Sequence, residues 1–145
     1  MKKIITSLLF IMTTFLFAGC SDSTSNESIG IKDTNGDYSK LNIALISDTI
    51  GTEQFILQAY EALEKASNTY GFKMTSIECT DTAAWEENTL AASNEGYDLI
   101  IGIGWQAADP FSDAADKFPN TKYAVIDTTA ANQKVTSFGF NEAQG

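Results

Sequence analysis

From Leu41 onward, apolar residues arrive in short bursts separated by amphipathic stretches. The run LNIALIS (41–47) is β-branched and largely apolar, the composition of a buried strand. From Glu53 to Tyr70, Phe55, Ala59, Leu63 and Ala66 recur three and four positions apart, the period of one helix face, and Gly71 supplies the stop. KMTSIEC (73–79) reads as a second strand. Asp81 or Thr82 can cap a helix running to about Glu95 and closing at Gly96. YDLIIGIG (97–104) is the most apolar of the strands and is expected to be covered on both faces. A third helix is expected from Pro110, which suits a first helical position, until Pro119 ends it. KYAVID (122–127) and VTSFGF (135–140) follow as strands.

This alternation predicts an α/β fold: an open, mostly parallel sheet with helices on both faces, Rossmann-like in layout. Residues 128–134 are too few for another helix, so the fifth strand returns through a loop or pairs differently. The sequence closes with FNEAQG directly after a strand, where such a sheet would send a further helix back across its face. The lobe 41–145 is therefore expected to be an incomplete piece of a longer protein.

The first forty residues have a different character. Met1-Lys2-Lys3, an uncharged and mostly apolar run from Ile4 to Phe17, and then Ala18-Gly19-Cys20 form the three-part pattern of a secretory signal. That run is too short for a bilayer span, which needs roughly 20 residues. A cysteine directly after Ala-Gly makes it a lipoprotein signal: 1–19 would be removed and the Cys20 thiol would take lipid, leaving the rest on the extracytoplasmic side of the cell membrane. Residues 20–40, rich in Ser, Asn, Asp and Gly, read as a flexible tether. Asp33-Thr34-Asn35-Gly36-Asp37 only faintly resembles a calcium loop, with its glycine two places early and Ala44 where the closing Glu belongs, so no metal is expected. With Cys20 acylated, Cys79 has no disulfide partner and is expected to be a small buried hydrophobe.

Charge narrows the function classes. The chain has nine lysines, no arginine and no histidine against nineteen acidic residues; losing Lys2 and Lys3 with the signal leaves a net charge of −12. Such a surface repels nucleic acid. Without Arg the bidentate clamp for phosphates and carboxylates is missing, and without His so is the commonest general base and metal ligand. A binding role without catalysis or cofactor is the expectation.

In open parallel sheets, ligands bind outside the carboxyl ends of the strands. That rule selects Ser47-Asp48-Thr49 after strand one, Gly102-Ile103-Gly104-Trp105 after strand three, Asp127-Thr128-Thr129 after strand four and Phe140-Asn141-Glu142 after strand five. Phe55, near the start of the first helix, can lean over the same rim or join the helix's apolar stripe. Asp48 and Asp127 can accept hydrogen bonds from adjacent hydroxyls or simply tie local turns. Trp105 has no helix stripe to join and is expected to stack on ligand, whereas Trp85 sits within a helix and is expected to pack. Two carboxylates and aromatic faces suit a neutral polyol bearing a flat ring. Gly102 to Ala107 also fits G-x-G-x-x-A, with Asp127 where a ribose-binding acid would stand, the pattern of a dinucleotide-binding enzyme. Three points weigh against that alternative: Pro110 puts the helix start several residues beyond the glycines, Trp105 crowds the backbone approach, and an exported lipoprotein meets little such cofactor.

Ile46-Ser47-Asp48, the helix with Phe55 and Tyr60-Glu61-Ala62-Leu63, Trp85-Glu86-Glu87-Asn88, and Gly96-Tyr97-Asp98-Leu99-Ile100-Ile101-Gly102-Ile103-Gly104 form a familiar series. With Tyr123-Ala124-Val125-Ile126-Asp127 and Phe140-Asn141-Glu142, it resembles the basic membrane protein family, which includes purine nucleoside receptor lipoproteins. The resemblance implies a type I periplasmic-binding fold, two lobes around a cleft, acting as a monomer that delivers nucleosides to an ABC permease. It places Asp48 at the cleft, Phe55 on one side of an aromatic sandwich, Trp105 at the aromatic position after Gly-x-Gly, and Asp127 as the strand-four carboxylate; Thr49 and Gly104 are candidate ligand contacts from the strand-end rule alone. Two departures concern base recognition: the loop Thr49 to Gln54 is shorter than the family's, and Ile56 stands where Asn usually follows the Phe. A sugar or other small nutrient is the alternative ligand, and a sensory lipoprotein without transport the alternative role.

Overall fold

A computed structural model describes residues 36–140. Cys20, most of the tether and the Asn141-Glu142 pair lie outside them. The elements are β1 (Asn42–Asp48), α1 (Gln54–Tyr70), β2 (Lys73–Cys79), α2 (Thr82–Glu95), β3 (Leu99–Ile103), a 3-10 turn (Trp105–Ala107), α3 (Ala108–Lys117), β4 (Lys122–Ile126) and β5 (Val135–Phe138). All five strands are parallel, in the order β2-β1-β3-β4-β5. β5 thus pairs parallel with β4 although only a loop joins them, which decides the question that the short 128–134 connection left open.

The two faces are built differently. Ala44, Ile46, Ile100, Tyr123, Val125 and Val135 point into one continuous core with Trp85 and Ala92 of α2 and Phe111, Ala114 and Ala115 of α3. On the opposite face Leu45 and Ile103 meet Ile56 of α1, with Phe55, Ala59, Leu63 and Ile101 packed around them. This division follows from handedness. Right-handed crossovers put the helix of the leftward step (β1 to β2) on one face and those of the rightward steps (β2 to β3, β3 to β4) on the other. With no helix between β4 and β5, α1 alone serves its face among the described residues, and Phe138 at the far edge stays 56% exposed.

Local chemistry sets the boundaries. Asp81 caps α2, its side chain accepting from Ala84 N–H at 2.9 Å. The buried face of α2 is partly hydroxylic: Thr89 Oγ1 donates to Trp85 O and Ser93 Oγ to Thr89 O, both at 2.6 Å, so the buried groups are satisfied within the helix. Ser93 Oγ also meets Tyr123 Oη at 2.8 Å, and burial pushes the Tyr123 hydroxyl pKa up, opposed by its hydrogen bonding with Ser93 and Thr121. At the tether end Leu41 N–H bonds Tyr38 O in a turn, and the Tyr38 ring lies edge-on to Tyr70, with centroids 5.9 Å apart.

α3 differs from expectation. The chain enters a 3-10 turn directly after Gly104, and α3 begins at Ala108 rather than Pro110. Pro110 occupies the first α-helical turn, where its missing N–H costs nothing. Cys79 is 2% exposed, and its thiol pKa is raised mainly by burial; a hydrogen bond from Asn88 opposes this, and Asp48 and Asp81 add to it. No helix among the described residues is long and apolar enough to cross a membrane.

Candidate ligand-binding site

The strand order reverses between β1 and β3, the two strands that follow one another in the sheet but lead to helices on opposite faces. Loops leaving such a pair diverge and leave a crevice at the carboxyl ends. Asp48 closes β1 on one side of this reversal, and Gly104-Trp105-Gln106 leaves β3 on the other.

By strand alternation Asp48 falls on the same face as Ala44 and Ile46, towards α2. Its carboxylate takes two hydrogen bonds there, from Trp85 Nε1 to Oδ1 at 3.2 Å and from Gln106 Nε2 to Oδ2 at 2.8 Å. Trp85 is therefore a core residue, 1% exposed as its helical position suggested, and also a direct partner of Asp48. Buried Ser47 anchors the same corner by donating from Oγ to the Asp48 carbonyl at 2.8 Å. Thr49 is exposed, and its carbonyl accepts from Thr52 N–H and Thr52 Oγ1, folding the short loop back on itself.

Gly104 adopts φ 98°, ψ 166°, a region essentially closed to residues with a side chain. Its N–H donates to Ile126 O at 3.0 Å and its carbonyl accepts from Ala107 N–H at 3.3 Å, so both of its backbone polar groups are engaged within the lobe. This turn throws Trp105 outward, and the indole is 71% exposed, the most exposed large apolar side chain among the described residues. Among the described residues it belongs to neither core cluster.

Asp127 follows β4 at φ 64°, the one non-glycine residue with positive φ among those described. Its N–H is held by Phe138 O at 2.8 Å and its side chain is exposed. Left-handed backbone costs an ordinary residue about 1–2 kcal/mol and Asp somewhat less. Replacing Asp127 by Val is expected to lower stability by about 1–2 kcal/mol in urea unfolding, whereas Asp127→Gly should fall within about 1 kcal/mol of the parent. Equal losses in both variants would show that backbone strain is not what limits this position.

Phe55 sits in the first turn of α1, half-buried against the Leu45–Ile56–Ile103 cluster, and meets Phe140 edge-to-face with centroids 5.7 Å apart. Phe140 is 61% exposed. Phe55 thus joins the helix stripe and also borders the rim. The structure brings Asp48, Gly104 and Trp105 together through Gln106, and joins this group to Asp127 through the Gly104–Ile126 bond.

Gln106 and the polar role of Trp85 are what the sequence reading missed. One signal was present: an indole N–H that is buried needs an acceptor, and the strand-end carboxylate is the nearest one the topology offers.

The earlier start of the helical segment removes one objection to a dinucleotide site, since the glycines do run straight into a helical turn. The structure supplies a different objection. A Cβ on Gly102 would lie 2.4 Å from Ala107 Cβ and 2.8 Å from the Phe111 ring, so this glycine is required for packing, and the amide of Gly104 is already taken.

Residues 40–145 match the family model described as Bmp, the PnrA-like ABC transporter substrate-binding proteins. The chain belongs to this family. Among the relatives of this PnrA-like chain are a CD4+ T-cell-stimulating antigen of Listeria innocua, 25% identical over 94% of this chain and 40% of the relative. The ABC transporter nucleoside-binding protein BmpA of Lactococcus lactis is 27% identical over 97% of this chain and 41% of its own length. An ABC transporter solute-binding protein from Aeropyrum pernix superposes with a TM-score of 0.64 at 27% identity, covering 70% of this chain and 29% of that one. The chain thus spans about two-fifths of the length of the curated relatives it matches.

Proposed function

We propose that this PnrA-like chain forms the N-terminal lobe of a nucleoside receptor, tethered to the membrane by lipid on Cys20, which hands its ligand as a monomer to an ABC permease. The observation that carries the ligand class is the pairing of an outward-facing indole, Trp105, with a fixed carboxylate, Asp48, across the strand-order reversal. An indole face stacks on any heterocycle, worth about 1–3 kcal/mol per base in nucleic-acid complexes. Carboxylates accept from sugar hydroxyls at roughly 1.5–3 kcal/mol per charged bond.

Charge distribution favours a neutral ligand. Lys40, Lys73, Lys122 and Lys134 all stand at or within two residues of the amino end of a strand, on the side of the sheet away from the rim. The carboxyl rim presents Asp48 and Asp127, so an anionic substrate would meet repulsion there with no compensating cation from this sheet. A surface groove of about 550 Å³ between α1 and β2 is lined by Tyr60, Glu64, Asn68, Phe72 and Lys73, but it lies along the amino-terminal half of β2, off the carboxyl ends. The BmpA relative, named as nucleoside-binding, agrees with the nucleoside reading. No chemistry is assigned: the whole chain lacks His and Arg, and the rim groups are acceptors and ring faces.

A single lobe offers part of a cleft, so binding should be weak and best seen by titration of the ¹⁵N-labelled chain. Inosine and adenosine are expected to shift the Trp105 indole N–H and the Asp127 amide, with Asp127→Asn weakening the response about tenfold. Ribose and galactose should produce smaller shifts. A rim response to a sugar with none to any nucleoside would replace the nucleoside by a sugar as ligand.

A further inference from the structure

The hydrogen bonds to Asp48 carry more than the placement of one carboxylate. An ionised Asp accepts only, and an indole N–H donates only. Trp85 Nε1 therefore fixes Oδ1, and Gln106 must present its NH₂ to Oδ2, which leaves its own carbonyl oxygen turned back towards Gly104. There a Cβ on Gly104 would lie 2.8 Å from Gln106 Oε1, so the absence of a side chain at Gly104 makes room for the Gln106 amide. The two donors come from opposite directions in the chain: Trp85 from the first turn of α2, Gln106 from the middle of the 3-10 turn. Rotating the carboxylate about its Cβ–Cγ bond would break both bonds at once.

We infer that Trp85 and Gln106 are positioning residues for the Asp48 carboxylate, and that the Gln106–Asp48 bond also fixes the turn that displays Trp105. Gln106 is adjacent in sequence to Trp105, and the turn is otherwise held by Gly104 N–H on Ile126 O, by Ala107 N–H on Gly104 O and by Ala108 N–H on Trp105 O. Gln106 thereby links the polar and the aromatic elements of the rim: losing it frees the carboxylate on β1 and loosens the platform after β3. Each carboxylate oxygen keeps lone-pair capacity for a ligand hydroxyl after accepting one internal bond. Because the orientation is set beforehand, binding does not spend entropy on fixing it.

The clamp is a property of the unliganded lobe; its effect on affinity rests on the nucleoside reading above. The chain has two tryptophans, so the ¹⁵N spectrum holds two indole N–H signals, and Trp105→Phe assigns them. In Gln106→Ala both indole signals should move, the Trp85 signal because its acceptor is released and the Trp105 signal because its turn loosens. Inosine affinity should fall about tenfold with the fold retained by circular dichroism. Gln106→Glu should fall further, since two carboxylates then face each other. Asp48→Asn should keep the clamp, the Asn oxygen accepting from Trp85 and its NH₂ donating to a flipped Gln106 amide. Both indole signals should then stay close to the parent's while inosine affinity falls through loss of charge. Unmoved indole signals in Gln106→Ala, or moved signals with inosine affinity unchanged, would overturn the inference. If the parent chain does not respond to inosine at all, the nucleoside reading fails by itself. The indole shifts of Gln106→Ala then decide the clamp alone, movement supporting it and its absence refuting it.

Discussion

Trp85→Ala is expected to cost about 3–5 kcal/mol, a large share of the 5–15 kcal/mol that holds a typical domain together. The indole is 1% exposed and lies in the larger core with Ile46, Cys79 and Phe111, where deleting it leaves a void that a sheet packed by two helices cannot close. The Ala variant also strips Asp48 of one of its two side-chain donors. Trp85→Phe separates these contributions. It keeps an aromatic ring in the core while removing the N–H and part of the ring volume, so it should cost about 1–3 kcal/mol, the bond contributing at the low end for a charged acceptor because Asp48 is partly solvated. Urea unfolding followed by circular dichroism measures both. A Trp85→Ala loss under 1 kcal/mol would mean that the indole is not buried as described, and equal losses in the two variants would mean that ring volume contributes little.

The elements that announce themselves by periodicity were legible, and those governed by exceptions to it were not. The α1 stripe of Phe55, Ala59 and Leu63 does pack on the sheet, although the most buried residue of that helix is Ile56, one position off the expected line. α2 was readable only from its ends, Asp81 and Gly96, because its buried face includes Thr89 and Ser93, which no hydrophobic pattern marks. The start of α3 was misplaced by two residues, and the 3-10 turn before it was missed. Pro110 suits a first helical position but lies inside the first turn, a place equally open to a residue without an N–H. At the rim, the rule for parallel sheets located Asp48, Trp105 and Asp127 because it needs only strand ends. It could not find the Gln106–Asp48 bond, which spans 58 positions and depends on the turn geometry at Gly104. Asp127 is legible as a strand-end acid, but its positive φ is not, since Asp tolerates that conformation better than most residues without requiring it.

Gly102→Ala is the smallest substitution expected to disable the lobe. The added methyl would sit 2.4 Å from Ala107 Cβ and 2.8 Å from two atoms of the Phe111 ring, well inside contact distance on both. Neither side can yield cheaply. β3 is hydrogen-bonded to β1 and β4 along its length, and Phe111 is wholly buried against Tyr123, with ring centroids 5.5 Å apart. Overpacking of a core commonly costs 1–3 kcal/mol and here should reach about 3 kcal/mol or more, because the strand and the first turn of the helical segment must separate together. Gly102→Val should leave no cooperative unfolding transition. The same clash predicts its own partial remedy: Ala107→Gly removes the nearest atom, so the double variant Gly102→Ala/Ala107→Gly should recover about 1 kcal/mol relative to the sum of the single changes. That coupling distinguishes a local collision from a general intolerance of side chains in the central strand. Additive losses would mean that β3 and the turn do not approach as closely as their glycine and alanine allow, and the Gly-x-Gly spacing would then need an explanation outside packing.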